Sequence, residues 1–172
     1  MEEILKLDNI SEYNLLRGVE TFHPLISVID MSKAKPTKNT RINFGFYCVF
    51  LKEVKCGDLK YGCNYYDYQE GTLVFVAPGQ VLGVNSNEIV QPKGWALLFH
   101  PDLIRGTSLG HNIKNYSFFS YEVNEALHLS DREKQIAVDC LGKIEYELKH
   151  AIDKHSKTLI TNNIELLLNY CM

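Results

Sequence analysis

The chain has 172 residues, a net charge of −3, 45% hydrophobic residues and 23% charged residues. That is enough for one full domain, or for one domain with a helical appendage, and it is an ordinary globular composition. The charge balance excludes a global attraction to nucleic acid, and no apolar stretch is long enough to cross a bilayer.

The first six residues, Met1–Lys6, are acidic and lack the apolar run of a signal peptide. The five cysteines form no Cys-x-x-Cys pair, and their odd number fits reduced thiols better than a disulfide framework. A cytoplasmic protein is expected.

Taken in chain order, the first strand signal is Leu25–Asp30, rich in β-branched residues. The polar segment Ser32–Asn39 follows as a loop. It contains the short basic run Lys33–Lys38, which reads as a solvated stretch. Arg41 to Lys52 then alternates as one long strand. Phe44, Phe46, Cys48 and Phe50 point one way, and Gly45, Tyr47, Val49 and Leu51 point the other. Further strands are expected at Asp58–Tyr61, Tyr65–Gln69, Thr72–Val76, Val81–Val84 and Trp95–Phe99, separated by turn residues such as Cys56-Gly57, Glu70-Gly71 and Pro78-Gly79. Many short strands at close spacing argue for a sandwich or barrel rather than a parallel α/β sheet. Short helical turns are expected at Asp102–Arg105 and near Ile113.

The pattern changes at Ser130. Ser130-Asp131-Arg132-Glu133 is a capping box, in which serine and glutamate side chains satisfy free backbone N–H groups. Ile136, Cys140, Leu141, Ile144, Leu148 and Ile152 then form one apolar stripe along a helix. A break near Asp153–Ser156 leads to a second helix from about Lys157, with Leu159, Ile160, Ile164, Leu167, Leu168 and Cys171 as its apolar residues. That helix has no glycine cap or polar tail, so the chain reads as one module of a longer protein.

Gly71–Gly79, a glycine and an apolar run closed by Pro78-Gly79, has the order found in small cupin-like β-barrels. A metal-dependent cupin would carry a histidine shortly afterwards. Here Gln80, Val81, Leu82 and Gly83 follow, and no metal is expected. Gly94-Trp95-Ala96-Leu97-Leu98-Phe99-His100-Pro101-Asp102-Leu103-Ile104 and the capped helix pair complete a resemblance to the N-terminal domain of AraC-type transcription regulators. Phe22-His23-Pro24-Leu25-Ile26-Ser27-Val28 extends it, in particular to members from Bacteroides-like bacteria. The resemblance implies a mainly β fold with C-terminal helices: a cupin-like barrel of the jelly-roll kind over 1–121, and an antiparallel helical pair over 122–172. It also implies a small-molecule effector, such as a sugar, in the barrel, and a homodimer through the helices. DNA would be bound only through a C-terminal helix-turn-helix region outside this sequence. No catalysis, no cofactor and no membrane partner are expected.

A pocket for a small polar ligand combines an apolar wall with a few directed polar groups, which tyrosine and tryptophan supply. Tyr47 and Trp95 are the first candidates, with Tyr61, Tyr65, Tyr66 and Tyr68 on neighbouring strands and Arg41 as a partner for an acidic ligand group. The alternative is that these rings simply fill the barrel and that Arg41 is a solvated strand-end charge. Leu141, Ile144, Leu148, Leu167 and Leu168 are the residues expected at a helix–helix contact, either within one chain or between two. Gly106-Thr107-Ser108-Leu109-Gly110 matches the spacing of a hydrolase nucleophile elbow, but it lacks the strand-to-helix setting over a parallel sheet and reads as a surface turn. The six histidines show no paired metal spacing, and His23 and His100, each before a proline, are expected to make local hydrogen bonds. Two rival roles stay open: a purely structural dimerisation module without ligand, and a metal-dependent cupin enzyme.

Overall fold

A computed structural model of the protein describes residues 3–38, 40–52, 58–61, 64–67, 71–83, 87–91, 93–119, 127–150 and 153–171, with the backbone alone at 58–61, 64–67 and 90. The first sheet contains β1 (Ile4–Leu7), β4 (Arg41–Phe44), β9 (Val81–Leu82), β6 (Asp58–Tyr61) and β7 (Asn64–Asp67), in that spatial order. The second contains β12 (Leu127–His128), β8 (Thr72–Val76), β5 (Tyr47–Lys52), β11 (Gly94–Phe99) and β2 (Ile26–Asp30). A small ribbon pairs β3 (Thr37–Lys38) with β10 (Ile89–Val90). Helices are α1 (Ile10–Arg17), α2 (Pro101–Ile104), α3 (Ser108–Asn112), α4 (Asp131–Leu148) and α5 (Lys154–Tyr170).

The second sheet is the organising layer, and its strands are apolar on both faces because both are covered. Cys48, Phe50, Val74, Val76, Ala96 and Leu98 face the first sheet, where they join Leu7, Ile42, Phe44 and Leu82 in one core. Val49, Leu51, Leu73, Phe75, Leu97 and Phe99 face the other way and share a second core with α4 and α5. The architecture is therefore mixed, with two five-stranded sheets and a helical layer. The described strands form no closed barrel.

The expected long strand over 41–52 is two strands, β4 and β5, lying in different sheets. The bend falls at Gly45, whose N–H donates to Leu7 O at 2.8 Å and whose missing Cβ leaves room for Leu7 O and Asp8 Cα at 3.1 Å. The alternation survives the bend: Phe44, Phe46, Cys48 and Phe50 all reach the core between the sheets.

Gly71 and Gly79 bracket β8 with φ of 78° and 92°, a region that a side chain with Cβ disfavours. At the far end of the chain Ser130 accepts from Glu133 N, and Glu133 Oε1 accepts from Ser130 N, the predicted capping box. Asp153 accepts from Ser156 N at 2.9 Å, so the predicted break is the N-cap of α5, which begins earlier than the apolar pattern suggests.

Candidate functional site

The aromatic side chains on the second sheet divide by register. Tyr47 lies opposite Phe99, and Trp95 lies opposite Leu51, so both belong to the face that carries Leu51 and Phe99. That face packs on the helices rather than on the first sheet. Tyr47 stacks on Phe99 with ring centroids 5.0 Å apart and meets Phe119 edge-on at 5.1 Å. Phe75, Tyr116 and Phe118 continue the cluster, with Phe75 stacked on Phe118 at 4.1 Å. Offset and edge-to-face rings of this kind add to the stabilisation given by burial alone. Partial burial raises the Tyr47 phenol above its ordinary value.

Arg41 is half-buried in β4, on the opposite face from Ile42 and Phe44, so it points away from the core between the sheets. The backbones of Tyr61 and Tyr66 lie on the paired strands β6 and β7, where Tyr61 faces Asn64 and Tyr66 faces Leu59 in register. Their side chains, that of Tyr65 and the whole of Tyr68 lie outside the described residues. Tyr47 and Trp95 thus share one face of the second sheet, and Arg41 stands on another sheet.

The core between the sheets is closed by an element that the apolar pattern did not announce. Helix α1 inserts Ile10 and Tyr13, both essentially without exposure, into that core. The Tyr13 ring lies 5.8 Å from Phe44 and 6.5 Å from Phe50. Its hydroxyl accepts from Arg17 Nε at 3.1 Å, the guanidinium sits 5.3 Å from the ring centre, and Arg17 Nη1 also donates to Thr37 Oγ1. Burial raises the Tyr13 phenol despite the neighbouring Arg17. Asn14, fully buried beside it, donates to Thr21 Oγ1 at 3.0 Å and accepts from Ser27 Oγ at 3.1 Å. The signal for this helix was present in the sequence: Glu12 accepts from Asn9 N at its start, and Gly18 closes it with φ of 69°.

Leu141, Ile144, Leu148, Leu167 and Leu168 are all buried in the chain's own core, against the second sheet and between α4 and α5. For these residues the helix–helix contact is intrachain.

The residue after Pro78-Gly79 is structural. Gln80 is buried, its Oε1 accepts from Ala77 N at 2.8 Å, and its carbonyl accepts from Phe44 N at 3.1 Å. His23 Nδ1 accepts from Leu25 N at 3.0 Å, and His100 Nδ1 accepts from Asp102 N at 3.1 Å. These are the local bonds expected of the two His-Pro pairs. The turns lie side by side, since His100 N donates to Leu25 O at 2.8 Å. Desolvation, with Lys157 nearby, lowers the His23 imidazole below its ordinary value. Among the described residues no group of three or more His, Cys, Asp or Glu side chains is placed to hold a metal ion.

The Gly-x-Ser-x-Gly segment is a helix entry. Thr107 Oγ1 accepts from Gly110 N at 3.1 Å to cap α3, and Ser108 Oγ donates to Glu165 Oε1 at 3.0 Å, tying α3 to α5. A serine so engaged with a carboxylate lacks the histidine partner that activates a nucleophile. Among the described residues no helix is long and apolar enough to cross a membrane. In comparisons with known proteins, no family model and no curated protein matches this chain.

Proposed function

We propose that this chain is the effector-sensing and dimerisation module of an AraC-type transcription regulator, built on a metal-free cupin-like jelly roll and working in the cytoplasm without catalysing a reaction. The two sheets would be the halves of the jelly roll, and DNA would be bound by a helix-turn-helix region outside this sequence. The observation that carries this reading is the continuous packing of the second sheet. One face meets the first sheet and α1, and the other shares a single core with α4 and α5, in which Tyr47 packs on Phe99 and Phe119. A small molecule, such as a sugar, that binds one arrangement of α1 and the helices better than another would shift the population between them. Tyr47 and Trp95, which share one face of the second sheet, are its proposed contacts.

The test is a thermal-shift screen against mono- and disaccharides, uronic acids and other small metabolites. Ligand that binds only the folded state raises the midpoint in a saturable way, by about 2.7 kcal/mol of stabilisation at a hundredfold excess over Kd. A saturable shift for one chemical class, lost in folded Tyr47→Ala or Trp95→Ala protein, is the expected outcome.

One observation favours a second reading, a structural dimerisation module without ligand. The core between the sheets is occupied by Tyr13, Phe44, Phe46 and Phe50, whose rings touch one another. A screen with no shift from any compound, together with a dimer in solution, would decide for that module.

A further inference from the structure

The two His-Pro turns share one geometry. His23-Pro24 leads into β2, His100-Pro101 leads from β11 into α2, and the bond from His100 N to Leu25 O joins them. In each turn the imidazole Nδ1 accepts from a backbone N–H two residues ahead, Leu25 N at 3.0 Å and Asp102 N at 3.1 Å. A backbone N–H can only donate, so each ring holds Nδ1 bare and carries its proton on Nε2. A second proton would turn Nδ1 into a donor and break the bond that shapes the turn. The surroundings of the two rings differ in what would receive that proton. At His100 the Asp102 Oδ2 lies 3.5 Å from Nδ1, and Arg105 holds the other oxygen of that carboxylate at 2.7 Å. Half-buried His23 instead faces the Lys157 ammonium of α5. From α4, Glu145 and Lys149 stand beside the neighbouring Phe22 and pair with each other at 3.8 Å.

We propose that His23 is an acid-sensitive clasp at the edge of the second sheet: its neutral ring holds the Phe22–Leu25 turn closed, and protonation opens that turn while the His100 turn stays shut. This goes beyond the function proposed above and does not rest on it. β2 is the last strand of its sheet, and Lys157 lies in the first turn of α5. A proton on His23 removes the acceptor of Leu25 N and sets two positive charges against each other, so the entry to β2 and the start of α5 loosen together. A proton on His100 is passed to the Asp102 carboxylate, which keeps ring and turn in contact. Burial, with Lys157 adding to it, holds the His23 imidazole below its ordinary value, so the folded chain takes up this proton less readily than the unfolded one. The stability that the clasp contributes is therefore whole above the unfolded imidazole value of 6.5. It declines as pH falls below that value and is gone once pH has passed the lowered folded value.

The experiment is a pH titration of the full 172-residue chain by nuclear magnetic resonance, following the His23 ring nitrogens and the Leu25 amide. At neutral pH the His23 ring is expected to carry its proton on Nε2. As the ring titrates in the acid range, the Leu25 amide signal is expected to move with the same midpoint. Its exchange, corrected for the intrinsic pH dependence, should speed up by about fivefold, the factor that one hydrogen bond is worth. His23→Asn keeps an acceptor for Leu25 N, because an asparagine carbonyl makes the same turn bond without titrating, and should abolish the step at Leu25. His100→Asn should leave that step in place. A His23 ring with its proton on Nδ1, a Leu25 amide that holds while His23 titrates, or a step that survives in His23→Asn would each overturn the clasp. The first two are read on the unaltered chain and stand whether or not the variants fold.

Discussion

The Tyr116 hydroxyl donates to Asn169 Oδ1 at 2.7 Å, which fastens the segment after α3 to the last turns of α5. The Tyr116 ring stacks on Phe118 at 5.5 Å, and Phe118 in turn packs on Phe75 of the second sheet. One side chain therefore holds strand, loop and helix together, apolar through its ring and polar through its oxygen. Tyr116→Phe keeps the ring and orphans the Asn169 oxygen, which is at a partly solvated position. A loss of about 1 kcal/mol is expected, read as a lower urea midpoint with an unchanged slope.

Asn14 presents a sharper case, because it is buried and serves two partners. Asn14→Ala would leave Ser27, itself buried on β2, without its acceptor and Thr21 without its donor. The expected cost is about 2 kcal/mol or more, because a half-satisfied buried network is worse than either extreme. Urea denaturation of Asn14→Ala beside Thr21→Ala checks it: the Thr21 variant, which removes one bond, should lose clearly less.

Two glycines in helices make opposite predictions. At Gly110 an added Cβ would lie 2.1 Å from Ile104 O, so Gly110→Ala must push α3 away from α2 and is expected to cost about 1–3 kcal/mol. At Gly142 nothing lies within 4 Å, and Gly142→Ala is expected to stabilise the isolated subunit by about 0.5–1 kcal/mol through the lower entropy of the unfolded chain. Thermal melts of both variants at low protein concentration give the two signs directly.

The pattern of the sequence located what packing makes periodic. β5 announces itself by apolar alternation, β8 and β11 by apolar runs between turn signals, α4 by Ser130 with Glu133, and the inner stripe of the helical pair by residues such as Ile144 and Leu168. The turn at Gly45 was not legible, because alternation runs through it and only the contact with Leu7 O and Asp8 Cα makes the bend necessary. Helix α1 escaped because its buried set is short and half polar, with Asn14 beside Ile10 and Tyr13. β3 and β10 pair over two residues, too few for a period to show. Alternation put Tyr47 on the face opposite Cys48, but which face meets the helices depends on how the layers stack. The candidate residues were thus legible as a set of aromatic strand positions, while their distribution over two faces was not.

Alkaline pH tests the burial of the thiols and phenols together. Burial holds Cys48 well above the ordinary thiol value and raises Cys140; it pushes Cys171 up to about 12, with Glu133 and Cys140 adding to the effect. Tyr13, Tyr47 and Tyr116 are raised as well, each chiefly by burial. In every case the folded protein keeps a proton that the unfolded chain gives up more easily. Stability from these groups is fully present below the unfolded thiol value of 9.0 and is lost as pH climbs through the raised folded values, toward about 12 for Cys171. The expected result is a urea midpoint that is steady on the neutral side and falls progressively above about pH 9, measured with reductant present. Cys171→Ala should lower stability at neutral pH by leaving a small cavity, yet make the alkaline decline shallower, since one titrating group is gone. A midpoint that holds or rises into the alkaline range would show that these groups are open to solvent and that the helical layer does not seal the second sheet.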